Sequence, residues 1–259
     1  METLFQHFRK DEQPFIELVA GWVRETEDRY SPKLTDFLDP RQRFIVQSIV
    51  GAAQEIDTSA YGKFEEAERM RMYIHPPYFE PTQEDFSVTA FEITYPSKFL
   101  SLEHRDVLGA LMSIGVDRSK FGDIRLDEER IQFTINSEMA DYVQANLTTI
   151  GKAKVHLNEV SESGSLIPYE DEWLEELHII SSMRLDTVLS SVLNISRQKA
   201  SMLIHGGRVK VNWTVREQPA FELQESDLLS VRGYGRMKIF MIEGRTKKDK
   251  IRLQIGRIE

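Results

Sequence analysis

The 259-residue chain contains no cysteine. That excludes disulfides, zinc ribbons, iron–sulfur clusters and cysteine nucleophiles, and it suits a reducing compartment. No apolar run approaches the roughly 18 residues that a membrane span needs. The first residues, Met1 to His7, lack the basic-then-apolar layout of a secretory signal. Phosphate-cradling loops are missing as well: neither a Gly-x-x-x-x-Gly-Lys-Ser/Thr run nor a Gly-x-Gly-x-x-Gly run occurs. The 6 histidines (His7, His75, His104, His156, His178 and His205) show no His-x-x-x-His spacing, so no metal and no cofactor is expected. Acidic residues number 42 but are dispersed, and no pair stands out for acid–base catalysis. The expectation is a soluble, cytoplasmic protein.

What is present is an uneven distribution of charge. The chain as a whole has 33 basic and 42 acidic residues, a net of −9. From Arg184 to Glu259, 15 basic residues face 8 acidic ones, a net of +7, which leaves −16 on residues 1–183. An acidic body with a basic end points to a polyanionic partner for that end, and the body discourages indiscriminate binding.

Punctuation divides the chain into an α+β arrangement of three blocks. Residues 1–80 read as a helical region. Phe15, Leu18, Val19 and Trp22 recur at helical spacing, as do Phe44, Ile45 and Ile49. Asp39-Pro40-Arg41 marks a helix start. A third helix is expected over Phe64 to Tyr73, where glutamates precede arginines in the order the helix dipole favours, before His75-Pro76-Pro77 stops it. Residues 84–160 alternate as strand 87–95, helix 103–114, strands 123–126 and 130–135, helix 137–147 and strand 154–160. That is the βαββαβ order of a ferredoxin-like or RRM-like domain. The third of these strands, Arg130 to Ile135, offers one aromatic, Phe133, and no Gly-aromatic-Gly run, so Phe133 is assigned to the core. Residues 161–182 read as an acidic linker, with Ser161 to Ser165 flexible in composition and Glu170-Asp171-Glu172 and Glu175-Glu176 charged.

From Met183 the pattern sharpens. Leu185, Val188, Leu189 and Val192 form one apolar helix face. Ser196 is placed to cap a second helix with Ala200, Leu203 and Ile204 inward, and Gly206-Gly207 supplies the turn out of it. Arg208-Val209-Lys210-Val211 alternates basic and apolar as a half-buried strand does. Asp227 to Val231 reads as a further strand. Arg232-Gly233-Tyr234-Gly235-Arg236-Met237-Lys238 reads as a basic hairpin whose glycines let backbone approach a phosphate.

The ordered set Arg184-Leu185-Asp186, Ser196-Arg197 with Ala200, and Gly207-x-Val209-x-Val211-Asn212 resembles an S4-type (alpha-L) RNA-binding domain over 183–259. Trp213 departs from the glycine many members carry. The resemblance implies a basic surface for structured RNA made by Arg184, Ser196, Arg197, Lys199, Arg208 and Lys210, with Arg232, Arg236 and Lys238 in a second rank. The whole chain is similar to the YlmH family of bacterial RNA-binding proteins, often encoded near cell-division genes. The residues carrying that likeness are Phe37-Leu38-Asp39-Pro40-Arg41, Ala67-Glu68-Arg69 and Gly115 through Ile124. The family implies a non-enzymatic factor that binds rRNA and tRNA on the large ribosomal subunit and serves rescue of obstructed translation. A monomer is expected, with no DNA and no membrane partner. Read on its own residues, the loop from Arg118 to Ile124 is a possible second contact, through Arg118 and Lys120.

The alternative is an RNA-modifying enzyme. Pseudouridine synthases need a catalytic aspartate in a Gly-Arg-Leu-Asp strand, and the Arg-Leu-Asp here lies inside the binding segment without those flanks. The nucleotide motifs of tyrosyl-tRNA synthetases do not occur. An enzyme would therefore need an unrecognised site within residues 1–160, with Asp39 and Asp123 as the residues to test.

Overall fold

The computed structural model describes residues 8–51, 55–97, 100–127, 130–161, 165–168 and 173–258. The chain divides into two compact units, residues 1–169 and 170–259.

The first unit begins with α1 (Gln13–Arg29), which ends where Tyr30 turns left-handed at φ 48°. It buries Ile16, Val19, Ala20, Val23 and Thr26, one step around from the Phe15–Leu18–Val19–Trp22 stripe. Both stripes have helical spacing, and the neighbours lie on the Ile16 side, leaving Leu18 exposed. Strand β1 (Lys33–Leu38) leads into α2 (Pro40–Val50). The Asp39 carboxylate accepts the Gln42 backbone N–H at 2.8 Å, and the Gln42 side chain accepts the Asp39 N–H at 3.0 Å. Pro40 occupies the first helical turn. Asp39→Ala removes this reciprocal cap and is expected to lower stability by about 1 kcal/mol, read as a shifted urea midpoint.

The third helix expected over 64–73 is not formed. Strand β2 (Asp57–Tyr61) is followed by β3 (Met70–His75), and the three strands make an antiparallel sheet in the order β1-β3-β2. The glutamate-then-arginine order suits a helix dipole only if Arg69 and Arg71 stand at an open helix end. Both are buried instead. Arg71 donates from Nε to the Thr35 carbonyl at 2.9 Å and from Nη1 to the Phe86 carbonyl at 2.8 Å. Each guanidinium replaces water with carbonyls of neighbouring segments, and that tertiary pairing overrides the local helical preference.

The second part of this unit runs β4 (Val88–Thr94), α3 (His104–Ser113), β5 (Phe121–Leu126), β6 (Ile131–Asn136), α4 (Ala140–Asn146) and β7 (His156–Glu159). The strand order is β5-β6-β4-β7, all antiparallel, the ferredoxin-like arrangement. Phe91, Phe121, Phe133 and Ile135 pack with Val107, Leu111 and Val143 of the two helices, so Phe133 is core.

The opposite face of this sheet is closed. Gln132, Thr134 and Asn136 on β6 are 0%, 0% and 1% exposed. The Gln132 side chain donates to the Ser165 carbonyl at 2.9 Å and accepts the Ile167 N–H at 2.8 Å. Gly122 has no side chain because a Cβ there would collide with the Phe37 ring and the Thr134 hydroxyl. Phe37, Phe86 and Val88 form a small core joining the two sheets. The face that RRM-like domains offer to RNA through paired aromatics is here an intramolecular contact.

In the second unit, β8 (Leu174–Ile180) precedes α5 (Leu185–Val192), α6 (Arg197–His205), β9 (Val209–Val211), β10 (Thr214–Val215), β11 (Leu228–Val231), β12 (Gly235–Arg245) and β13 (Ile251–Ile258). The sheet order is β8-β13-β12-β11-β9-β10. Helices α5 and α6 pack on one face through Leu185, Val188, Leu189, Ala200, Leu203 and Ile204. The acidic linker expected over 161–182 therefore stops short. From Leu174 the chain is an edge strand paired along its length with β13, its alternation hidden beneath Glu175 and Glu176. Glu162-Ser163-Gly164 and Glu170-Asp171-Glu172 of that expectation lie outside the described residues.

Candidate RNA interface

The first four expected contact residues gather around the starts of the two short helices. Arg184 stands at the N-cap of α5. Its Nε donates to Asp186 Oδ1 at 3.1 Å and its Nη2 to Oδ2 at 3.0 Å. Arg197, the first residue of α6, donates from Nη2 to the same Oδ2 at 2.8 Å. The Asp186 side chain is 6% exposed, while those of Arg184 and Arg197 are 42% and 56% exposed. One sequestered carboxylate thus braces two outward guanidinium groups. Burial works against ionising Asp186, but the hydrogen bonds from Arg184 and Arg197 outweigh it and hold its pKa down to about 2. Arg184 is raised above its ordinary value by the same hydrogen bond. Ser196 caps α6 by accepting the Lys199 N–H at 3.2 Å.

Arg208 and Arg232 extend this surface at the adjacent ends of β9 and β11. Arg208 Nη2 donates to the Arg232 carbonyl at 3.2 Å, and the Arg232 N–H donates to the Arg208 carbonyl at 2.9 Å. Lys199 Nζ lies 5.9 Å from the centre of the Tyr234 ring, which links the helix start to the hairpin turn. Gly233 between them has φ 88°, a conformation that glycine takes without strain.

Lys210, Arg236 and Lys238 are not part of this cluster. On β9, Val209 and Val211 point to the helix-covered core and Lys210 to the other face. Lys210, Ser230 and Arg236 form one cross-strand row on that outer face. Lys238 lies two residues along from Arg236, with its Nζ 5.5 Å from the Phe240 ring centre. The nine residues therefore make two surfaces, one at the helix starts and one on the back of the sheet.

The second contact expected at Arg118 and Lys120 does not take the form of an open basic patch. Arg118 donates from Nη1 to the carbonyls of Phe121 and Gly122 at 2.7 and 3.1 Å, and its guanidinium lies 4.3 Å from the Phe121 ring centre. Burial lowers its pKa to about 9. Lys120 Nζ pairs with Asp36 at 2.9 Å. Asp123, in the same loop, accepts the backbone N–H groups of Glu68 and Arg69 at 2.7 and 3.0 Å. Burial raises the pKa of both Asp39 and Asp123.

Two contributors escaped the sequence reading. Asp186 lies within the Arg184-Leu185-Asp186 motif, and its signal is the Arg-x-Asp step across a helix start, a recognisable ion-pair spacing. Tyr234 lies in the glycine-punctuated turn, and its signal is an aromatic between two basic residues, Arg232 and Arg236.

Two short helices packed on an antiparallel sheet, with braced arginines at the helix starts, define a small RNA-binding module. Residues 183–229 match the S4 domain model. Residues 11–79 match the YlmH N-terminal model, and residues 81–163 match the YlmH RNA-binding domain model. The chain is 44% identical over 257 residues to a Bacillus subtilis (strain 168) protein named ribosome-associated protein quality control protein P2, with 99% of each chain covered. It belongs to the YlmH family. A solved structure, cell division protein ylmH from Streptococcus pneumoniae, is similar with a TM-score of 0.56 and 31% identity, over 62% of this chain and 98% of that one.

Proposed function

We propose that this protein is a non-enzymatic RNA-binding factor that engages rRNA and tRNA on the large ribosomal subunit during quality control of stalled translation. It acts as a cytoplasmic monomer, with residues 183–259 carrying the RNA contact and residues 1–160 supplying position. The observation that carries the reading is the pair Arg184 and Arg197 braced on Asp186, within a segment of net charge +7. Guanidinium groups held at fixed spacing match phosphate oxygens better than mobile lysines do. The Bacillus subtilis relative's name supports the ribosomal setting. No helix among the described residues is long and apolar enough to cross a membrane. The enzyme alternative has no observation in its favour: the carboxylates of Asp39 and Asp123 are each engaged by backbone amides.

The test is co-sedimentation with purified ribosomal subunits across a salt series, comparing the parent with Arg197→Ala/Arg208→Ala. The parent is expected to travel with the large subunit. With around six phosphate contacts, its affinity should fall by roughly a thousandfold or more between 50 and 200 mM salt. The double variant should bind more weakly and with a salt slope shallower by about two. A parent that stays in the supernatant at 50 mM salt overturns the reading.

A further inference from the structure

The turn between β9 and β10 is built in an unusual way. Val211 pairs with Thr214, so the loop consists of Asn212 and Trp213 alone. Both have positive φ, 49° and 63°, as a type I′ hairpin turn requires. Asparagine suits the first position. A bulky indole does not suit the second, where glycine would hold the same backbone without strain.

The turn is nevertheless held rigidly. The Asn212 side chain donates to Asp227 Oδ1 at 2.9 Å and accepts the Leu228 N–H at 2.9 Å, while the Asn212 N–H donates to the Leu228 carbonyl at 2.8 Å. Asp227 is fully buried, and its second oxygen accepts the Gln224 N–H at 2.8 Å. Trp213 sits on this anchored tip and remains 36% exposed. It lies five residues along the chain from Arg208, at most about 17 Å at strand rise, and Lys210 between them points outward from the sheet.

We propose that Trp213 is a stacking platform for an unpaired nucleobase of the RNA whose phosphates meet the Arg184–Arg197–Arg208 cluster. This rests on the RNA-binding reading above and adds the chemistry of one contact. A strained backbone under an aromatic, a fixed anchor beneath it and Arg208 of the basic cluster at the other end of β9 are what base stacking needs. The ring contributes π-surface without charge, and preorganisation keeps the ordering cost low. Every base has a π-face, so the contact selects unpaired RNA and no particular base.

Trp213→Gly, Trp213→Phe and the parent, as full chains, are compared for binding to purified large ribosomal subunits at several salt concentrations. Trp213→Gly is expected to bind about tenfold more weakly with an unchanged salt slope, because stacking releases no counterions. Its thermal midpoint should equal or exceed the parent's, since glycine relieves the left-handed strain. Trp213→Phe, which keeps a ring, should stay within about twofold of the parent. Binding by Trp213→Gly at parental affinity overturns the stacking proposal and leaves the RNA-binding reading intact. Equal loss in Trp213→Phe overturns it too, by assigning Trp213 to packing. If the parent itself does not bind, both readings fall.

Discussion

Exchanging Asp186 for asparagine is expected to weaken binding of structured RNA by about tenfold or more, although the substitution adds one positive charge to the binding unit. If the basic surface worked through net charge alone, Asp186→Asn would bind more tightly, and the opposite sign separates orientation from charge. The carboxylate receives three guanidinium hydrogen bonds, two from Arg184 and one from Arg197. A carboxamide in its place would offer one oxygen and present an N–H donor to a second guanidinium, so the two arginines lose their common anchor. Each long side chain then has to be immobilised on binding, which costs about 0.5–1.5 kcal/mol per residue. The brace is also predicted to be insensitive to pH in the physiological range. A carboxyl held down to about 2 from an ordinary 3.8 stabilises the folded state above about pH 4, and that stabilisation is lost only as pH falls toward 2. Filter binding of Asp186→Asn against the parent at fixed salt decides the matter. Equal or tighter binding by the variant means that orientation is not required.

Much of this architecture was readable because its signals are local. Asp39-Pro40 and Ser196 announce helix starts through the chemistry of a cap, and Arg208 to Val211 announces a strand through alternation. The ferredoxin-like order followed from switches between these two periods. What escaped reading depends on distant partners. Arg69 and Arg71 resemble the dipole-favoured end of a helix, since a sequence does not show that carbonyls of β1 and of the segment before β4 will take their hydrogen bonds. Glu175 and Glu176 resemble a linker because their charge masks the alternation of Glu176, His178 and Ile180, which face the same side of β8. Arg118 and Lys120 looked like a ligand site for the same reason, exposed charge being the default for basic residues in a loop. At the interface, cap and strand patterns placed Ser196, Arg197 and Arg208 correctly in the chain. The split between the helix starts and the back of the sheet needed the strand register.

Asp123→Ala is expected to destabilise the first unit by about 3–5 kcal/mol. Its carboxylate is where the N-terminal sheet and the ferredoxin-like sheet are tied together. One oxygen accepts the Glu68 N–H and the other the Arg69 N–H, across more than 50 residues of sequence. The same Arg69 donates from Nη2 to the Phe37 carbonyl at 2.9 Å, so the motifs around Phe37, Arg69 and Asp123 form one connected polar junction. Truncation leaves two backbone donors unsatisfied and removes a countercharge from beside Arg43, Arg69 and Arg118, each already disfavoured by burial. Asp123→Asn keeps one acceptor and loses the charge, so it should fall between the parent and alanine. Denaturant unfolding of the full chain followed through the tryptophans tests this: Trp22 reports on the first unit, Trp173 and Trp213 on the second. The expected result is an early transition for the first unit with the second unchanged, and RNA binding through Arg197 and Arg208 retained below that transition. A loss under about 1 kcal/mol would show that the junction is replaceable. Destabilisation of both units together would show that the second depends on the first for its fold, against the separation of contact and positioning proposed above.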